Sequence, residues 1–177
     1  DLAFDGQHNL YVTDSVGKIY RLPNGGSALT LWSSDPSLAP PTPQGYGADG
    51  IVWDGKGSLY VNTFSGGTLL RFPINADGSA GSPSSIRVSP ALSGPDGMRL
   101  LDASTLLVAE GVGRLTKVTV SGTTATAAAL KDGLNGPTSV AHFGGYGWVS
   151  EGQLGHFLGT LSGPPSAPFL VRRVAIP

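Results

Sequence analysis

The chain repeats itself, and that repeat constrains the fold more than any other feature. Leu10-Tyr11-Val12-Thr13-Asp14, Leu59-Tyr60-Val61-Asn62-Thr63, Leu106-Leu107-Val108-Ala109-Glu110 and Gly147-Trp148-Val149-Ser150-Glu151 follow one pattern. Each is preceded by an apolar run that closes in a turn, such as Leu2-Ala3-Phe4-Asp5-Gly6 or Gly50-Ile51-Val52-Trp53-Asp54-Gly55. The central valines, Val12, Val61, Val108 and Val149, lie 49, 47 and 41 residues apart. That period is the length of one propeller blade. The units run about 1–46, 47–93, 94–135 and 136–177, with no second domain.

Within each unit the pattern predicts four short strands. The first ends in an Asp- and Gly-rich turn of the kind that tight hairpins need. The second is the β-branched and aromatic run quoted above. The third alternates apolar and polar residues, as in Lys18-Ile19-Tyr20-Arg21-Leu22 and Thr68-Leu69-Leu70-Arg71-Phe72, which is the period of a half-buried strand. The fourth is plainer and fits an exposed blade edge: 29–32, 86–88, 124–130 and 169–174. The Ala-rich stretch 125–130 reads as strand from its repeat position and its threonines. Aromatics fall mostly at strand positions, where blade packing accounts for them. No 3.6-residue period persists for three turns, so no long helix is expected.

Composition agrees. Gly and Pro number 27 and 14, which suits turns and penalises helices. Charged residues make 13%, against roughly 25% in an average domain, while 40% are hydrophobic. Such a chain folds instead of staying solvated. A net charge of −1 with no basic stripe argues against nucleic acid or an anionic membrane as partner. No run of about 18 apolar residues is present to span a bilayer. The absence of cysteine excludes disulfides and thiolate metal sites. Few lysines, no cysteine and many small residues lean toward a periplasmic or secreted setting.

The fold class is therefore an all-β propeller with about four four-stranded blades. Unit one lacks the residues that precede the apolar strand elsewhere: Gly47-Ala48-Asp49-Gly50, Gly94-Pro95-Asp96-Gly97 and Gly136-Pro137-Thr138-Ser139. We expect the chain to be the C-terminal part of a longer propeller. An open arc exposes two apolar blade faces, to be covered by further blades, another chain or a second copy.

In a propeller the starts of the innermost strands ring the axis. Asp49 and Asp96 hold the same slot in successive blades, and Thr138 holds it in the fourth. Two carboxylates at the axis make an oxygen-rich site for one divalent cation, Ca²⁺ foremost, with Mg²⁺, Mn²⁺ and Zn²⁺ as lesser options. The second strand returns to the same face, so Glu110 and Glu151 are candidates to orient ligands or substrate from behind. Asn62, one position before a strand end, faces either the channel or the blade interior. Among the histidines, His8 reads as exposed, His142 as a core residue and His156 as a candidate general base. The loop at 36–47 is the longest connection and a candidate to overhang a site.

Gly94-Pro95-Asp96-Gly97-Met98 with Leu107-Val108-Ala109-Glu110 resembles the gluconolactonase/regucalcin-like six-bladed propellers, and the repeat is also similar to NHL-repeat proteins. The resemblance implies roughly two further blades. It also implies a single axial cation held by a first-blade Glu, a middle-blade Asn and the Asp of the Pro-Asp-Gly motif. Asp96 matches that Asp. Asp49 stands where the family has Asn, which keeps an oxygen ligand and adds a negative charge. The first-blade Glu falls outside this sequence. The implied activity is metal-dependent hydrolysis of a lactone or related small ester, with Asp96 as ligand and general base. Two alternatives remain: a non-catalytic propeller binding a small molecule or protein on its loop face, and a purely structural Ca²⁺ site.

Overall fold

The computed structural model describes residues 1–177. It is an arc of antiparallel blades, an all-β propeller. Blade one contains β1 (Leu2–Phe4), β2 (Leu10–Asp14), β3 (Lys18–Leu22) and β4 (Thr30–Ser33). Blade two contains β5 (Ala48–Trp53), β6 (Ser58–Thr63), β7 (Thr68–Pro73) and β8 (Ser84–Ser89). Blade three contains β9 (Pro95–Asp102), β10 (Thr105–Glu110), β11 (Arg114–Ser121) and β12 (Thr124–Asp132). Blade four contains β13 (Pro137–Phe143), β14 (Tyr146–Glu151) and β15 (Leu170–Ala175). The innermost strands β1, β5, β9 and β13 neighbour one another in sequence order around the axis.

Strand alternation builds the core. Successive side chains of a strand point to opposite faces, so each blade feeds two interfaces. Leu59 and Val61 of β6 join Ala3, Tyr11 and Ile19 between blades one and two. Tyr60, between them in sequence, joins Met98, Leu106 and Val108 between blades two and three. Leu107 points the other way and packs with Leu115, Val140 and Val149 between blades three and four. The core is thus three inter-blade layers, and β6 and β10 are buried along their whole length. The outer faces of the arc are bare. Leu2, Val12, Tyr20 and Leu31 form one cross-strand row on blade one, with Leu2 and Leu31 exposed. Trp148 and Val171 are exposed on blade four.

Three features depart from the sequence pattern. The segment expected as a fourth strand in the last unit is β15, and it pairs directly with β14 as a third strand. The chain between them, rich in Gly and Pro, forms the four-residue helix α1 (Leu154–Phe157) and an irregular loop instead. One helical turn is too short to leave a periodic trace. Blades two and three are also continuous: β8 pairs with β12 in parallel, Arg87–Ser89 against Thr124–Thr126, making one eight-stranded sheet. His142 is exposed and not a core residue, because β13 passes beyond the cover of blade three toward its hairpin. His8 is exposed in its turn. The stretch at 125–130 is strand, within β12. No helix is long and apolar enough to cross a membrane.

Candidate active site at the propeller axis

The slot before each apolar strand is a β-bulge. The pairing of β5 with β6 shifts between Ala48 and Ile51, that of β9 with β10 between Pro95 and Met98, and that of β13 with β14 between Pro137 and Ser139. A bulge frees a residue from the ladder and re-aims its side chain. Asp49, Asp96 and Thr138 are each the second residue of their strand and each lies within the shift. Glycine follows the two aspartates for a packing reason. A Cβ on Gly50 would sit 2.2 Å from the Asp96 carbonyl oxygen, and one on Gly97 would sit 2.8 Å from that of Thr138. The bare backbone lets neighbouring inner strands close on the axis.

Asp49 and Asp96 converge. Both line a cavity of about 220 Å³ together with Ser15, Tyr46, Phe64, Leu154, Phe157 and Leu158. Burial, and then the neighbouring Asp49 charge, push the Asp96 carboxyl up to about 7. Burial also raises Asp49 above the ordinary carboxylate range. Two half-buried carboxylates facing each other disfavour double ionisation, so one of them keeps a proton near neutral pH. Thr138 does not line this cavity. Its hydroxyl is hydrogen-bonded to that of Ser150 at 2.9 Å.

The other expected site residues hold the scaffold. Asn62 is fully buried, and both ends of its amide are engaged. Its Oδ1 accepts from the Gly50 N–H at 3.0 Å, and its Nδ2 donates to the Asp96 carbonyl at 2.7 Å. It faces the blade interior and fixes the bulges on both sides. Thr13, its repeat counterpart, donates to the Asp49 carbonyl. Glu110 accepts from the Ser93 N–H at 2.6 Å and from the Thr116 hydroxyl. Glu151 accepts from the Asn135 N–H at 3.1 Å and from Arg172 Nη2 at 3.0 Å. Each glutamate therefore latches the end of its second strand to the residue just before Gly94-Pro95 or Gly136-Pro137. His156 bonds the Gly163 carbonyl through Nδ1 at 2.8 Å and is not among the cavity residues.

The aromatic roof leaves no periodic trace in the sequence. Tyr46 packs edge-on to Phe64 at 6.1 Å and tilted against Phe157 at 6.1 Å. None of the three lies in a strand: Tyr46 ends the long loop, Phe64 follows β6 and Phe157 belongs to α1. The loop at 36–47 does overhang the site through Tyr46. The available signal was position, because Tyr46 stands two residues before the bulged strand β5 and Phe64 directly follows its partner β6.

The carboxylate pair offers a divalent cation two hard oxygen donors, a partial coordination set. Nowhere does the chain gather three or more His, Asp or Glu side chains into one such group. Two carboxyls whose charges are disfavoured by burial and by each other are groups that a cation would relieve, so the pair fits one as far as it goes.

Fold and site together define a β-propeller protein with an acidic axial pocket. No protein-family profile matches the chain, and no curated sequence matches it. Solved structures share its fold. A luciferin-regenerating enzyme superposes with a TM-score of 0.72 at 18% identity, over 99% of this chain and 60% of its own. Virginiamycin B lyase from Staphylococcus aureus gives 0.59 at 16%, over 84% and 46%. A chain of a nidogen/laminin complex gives 0.60 at 20%, over 84% and 54%. The chain spans about half the length of these propellers.

Proposed function

We propose that the axial pocket is the active site of a hydrolase acting on a small lactone or related ester. One observation carries this reading: Asp49 and Asp96 lie together on a cavity roofed by Tyr46, Phe64 and Phe157. The aromatic and leucine side chains would hold the apolar part of a ring, and the carboxylates would face its ester group. Asp96, holding its proton with neutral-range affinity, suits transfer in both directions. It would take a proton from water as the water oxygen bonds the acyl carbon. It would return that proton to the alkoxide released when the acyl C–O bond breaks. A divalent cation held by Asp49 and Asp96 would, when bound, supply Lewis-acid polarisation of the carbonyl and hold both carboxyls ionised, so the two-way proton transfer by Asp96 belongs to the cation-free pair. The likeness in fold to a luciferin-regenerating enzyme and a lyase supports an enzymatic reading, as does the resemblance of the Pro-Asp-Gly-Met motif to the gluconolactonase/regucalcin-like propellers.

A panel of small lactones and aryl esters, assayed on the full-length protein with added Ca²⁺ or with chelator, tests the reading. Turnover of at least one substrate, with a raised KM in Phe157→Ala, is the expected result. A folded protein inert on the whole panel under both conditions rejects it.

A second reading is a non-catalytic propeller that binds a ligand or partner on its loop face. The third slot favours it, because Thr138 there is tied to Ser150 and adds no carboxylate. In either case the bare faces of blades one and four call for cover by further blades or another chain.

A further inference from the structure

The repeat supplies an internal control on the face opposite the axial pocket, where the β1–β2 and β5–β6 hairpins lie. In blade two, Arg71 of β7 pairs with Asp54 of the preceding hairpin, Nη2 to Oδ2 at 3.0 Å. In blade one, the matching residues are Arg21 of β3 and Asp5. That pair is not made. Asp5 Oδ2 accepts instead from Asn9 Nδ2 at 2.7 Å and from the Tyr11 hydroxyl at 3.2 Å, and Oδ1 accepts from the N–H groups of Gln7 and Asn9. Asn9 stands where blade two has Ser58, and its amide takes the oxygen that the arginine would otherwise claim. Arg21 is left without any ion pair, and its Nε is buried without a partner.

That free guanidinium borders a cavity of about 250 Å³ between blades one and two. Lys56 borders the same cavity and is also unpaired. Asp5 is the one acid there; neutral donors hold it as a carboxylate, so two cationic side chains share the cavity with one negative charge. The arginine is held in place. It lies over the Tyr11 ring, 5.9 Å from the centroid. On its other side Gly78 leaves the space it occupies, since a Cβ there would fall 2.9 Å from Nη1. Trp32 Nε1 anchors that glycine through its carbonyl at 2.9 Å. Gln7 and Asn75 add amide groups to the wall, and Trp53 adds an indole.

We propose that this cavity is a binding site for a small hydroxylated anion, a sugar phosphate or a sugar acid. A preorganised guanidinium that makes no direct ion pair is the group that binds a planar carboxylate or a phosphate through paired hydrogen bonds. The amides suit hydroxyl groups, and the indole suits the apolar face of a sugar ring. The equivalent cavity between blades two and three is lined by Arg71, Asp54 and the same Lys56, but there the arginine is tied directly to the aspartate, so no unpaired guanidinium faces it.

The test is calorimetric titration of the full-length protein with glucose 6-phosphate, glucuronate and neutral glucose. One or both anions should bind, and glucose should not. Binding of the phosphate alone or of the acid alone names the ligand class, and either supports the site. Arg21→Gln should weaken binding by about tenfold or more, and the exposed Lys56→Gln by a smaller factor. Arg71→Gln should leave the affinity unchanged within about twofold. Thermal melts establish that each variant is folded. No binding of either anion at about 10 mM overturns the proposal. So does affinity untouched by both Arg21→Gln and Lys56→Gln, or glucose binding as tightly as the anions.

Discussion

Asn62 of blade two donates its Nδ2–H to the backbone carbonyl of Asp96 in blade three, at 2.7 Å. Its Oδ1 takes the Gly50 N–H in its own blade, so one amide fixes two adjacent bulges. Asn62→Ala leaves both backbone groups buried and unpaired. The expected cost is about 2–3 kcal/mol in a denaturant melt, with weakened turnover because Asp96 loses its support. A variant as stable as wild type contradicts the bridging role.

The Glu110 carboxylate is engaged inside the blade, by the Ser93 N–H and the Thr116 hydroxyl. Glu110→Ala strands the Ser93 N–H and the Thr116 hydroxyl, which this carboxylate accepts in the buried interior. A loss of about 3 kcal/mol is expected. At a temperature where the variant remains folded, its kcat should be close to wild type. A stable variant with a collapsed kcat would return Glu110 to the site.

Ionisation of Asp96 opposes folding. Its carboxyl is pushed up to about 7 by burial and by Asp49, whereas in the unfolded chain it titrates near 4. Below about pH 4 it is neutral in both states, and the fold suffers nothing. As pH rises from there through 7, the unfolded state gains by releasing the proton and stability falls, levelling above 7. Asp96→Asn has no proton to release. It should match wild type in stability near pH 4 and exceed it at pH 8, by at most about 4 kcal/mol, the ceiling set by a carboxyl moved from near 4 to about 7. Equal pH profiles for the two proteins contradict the shift.

A cation at the pair would act in the opposite sense, because it stabilises both charges. Ca²⁺ at about 100 times its Kd should stabilise wild type by about 2.7 kcal/mol at pH 8. The Asp49→Asn/Asp96→Asn double variant should show no response. An identical Ca²⁺ response in the two proteins would place any bound ion elsewhere.

The blade repeat and the pairing of Asp49 with Asp96 were legible because they depend on period and on position within it. Strand alternation tells which residues face a neighbouring blade, and a shared slot tells which residues meet at the axis. What the chain did not disclose is how each polar side chain spends its hydrogen bonds. Glu110 and Glu151 end their strands on the site face, yet they are consumed by the backbone N–H groups of Ser93 and Asn135, a contact set by loop geometry. Tyr46 and Phe157 form the roof from irregular segments, where no period marks them. His142 sits in an apolar strand yet is exposed, because such a strand can run beyond its cover.

The most direct measurement is kcat/KM for lactone or ester hydrolysis by wild type and by Asp96→Asn, with both shown to be folded. The account predicts that the variant loses about 100-fold or more, the usual range for removing a positioned proton carrier. Turnover within twofold of wild type would contradict it.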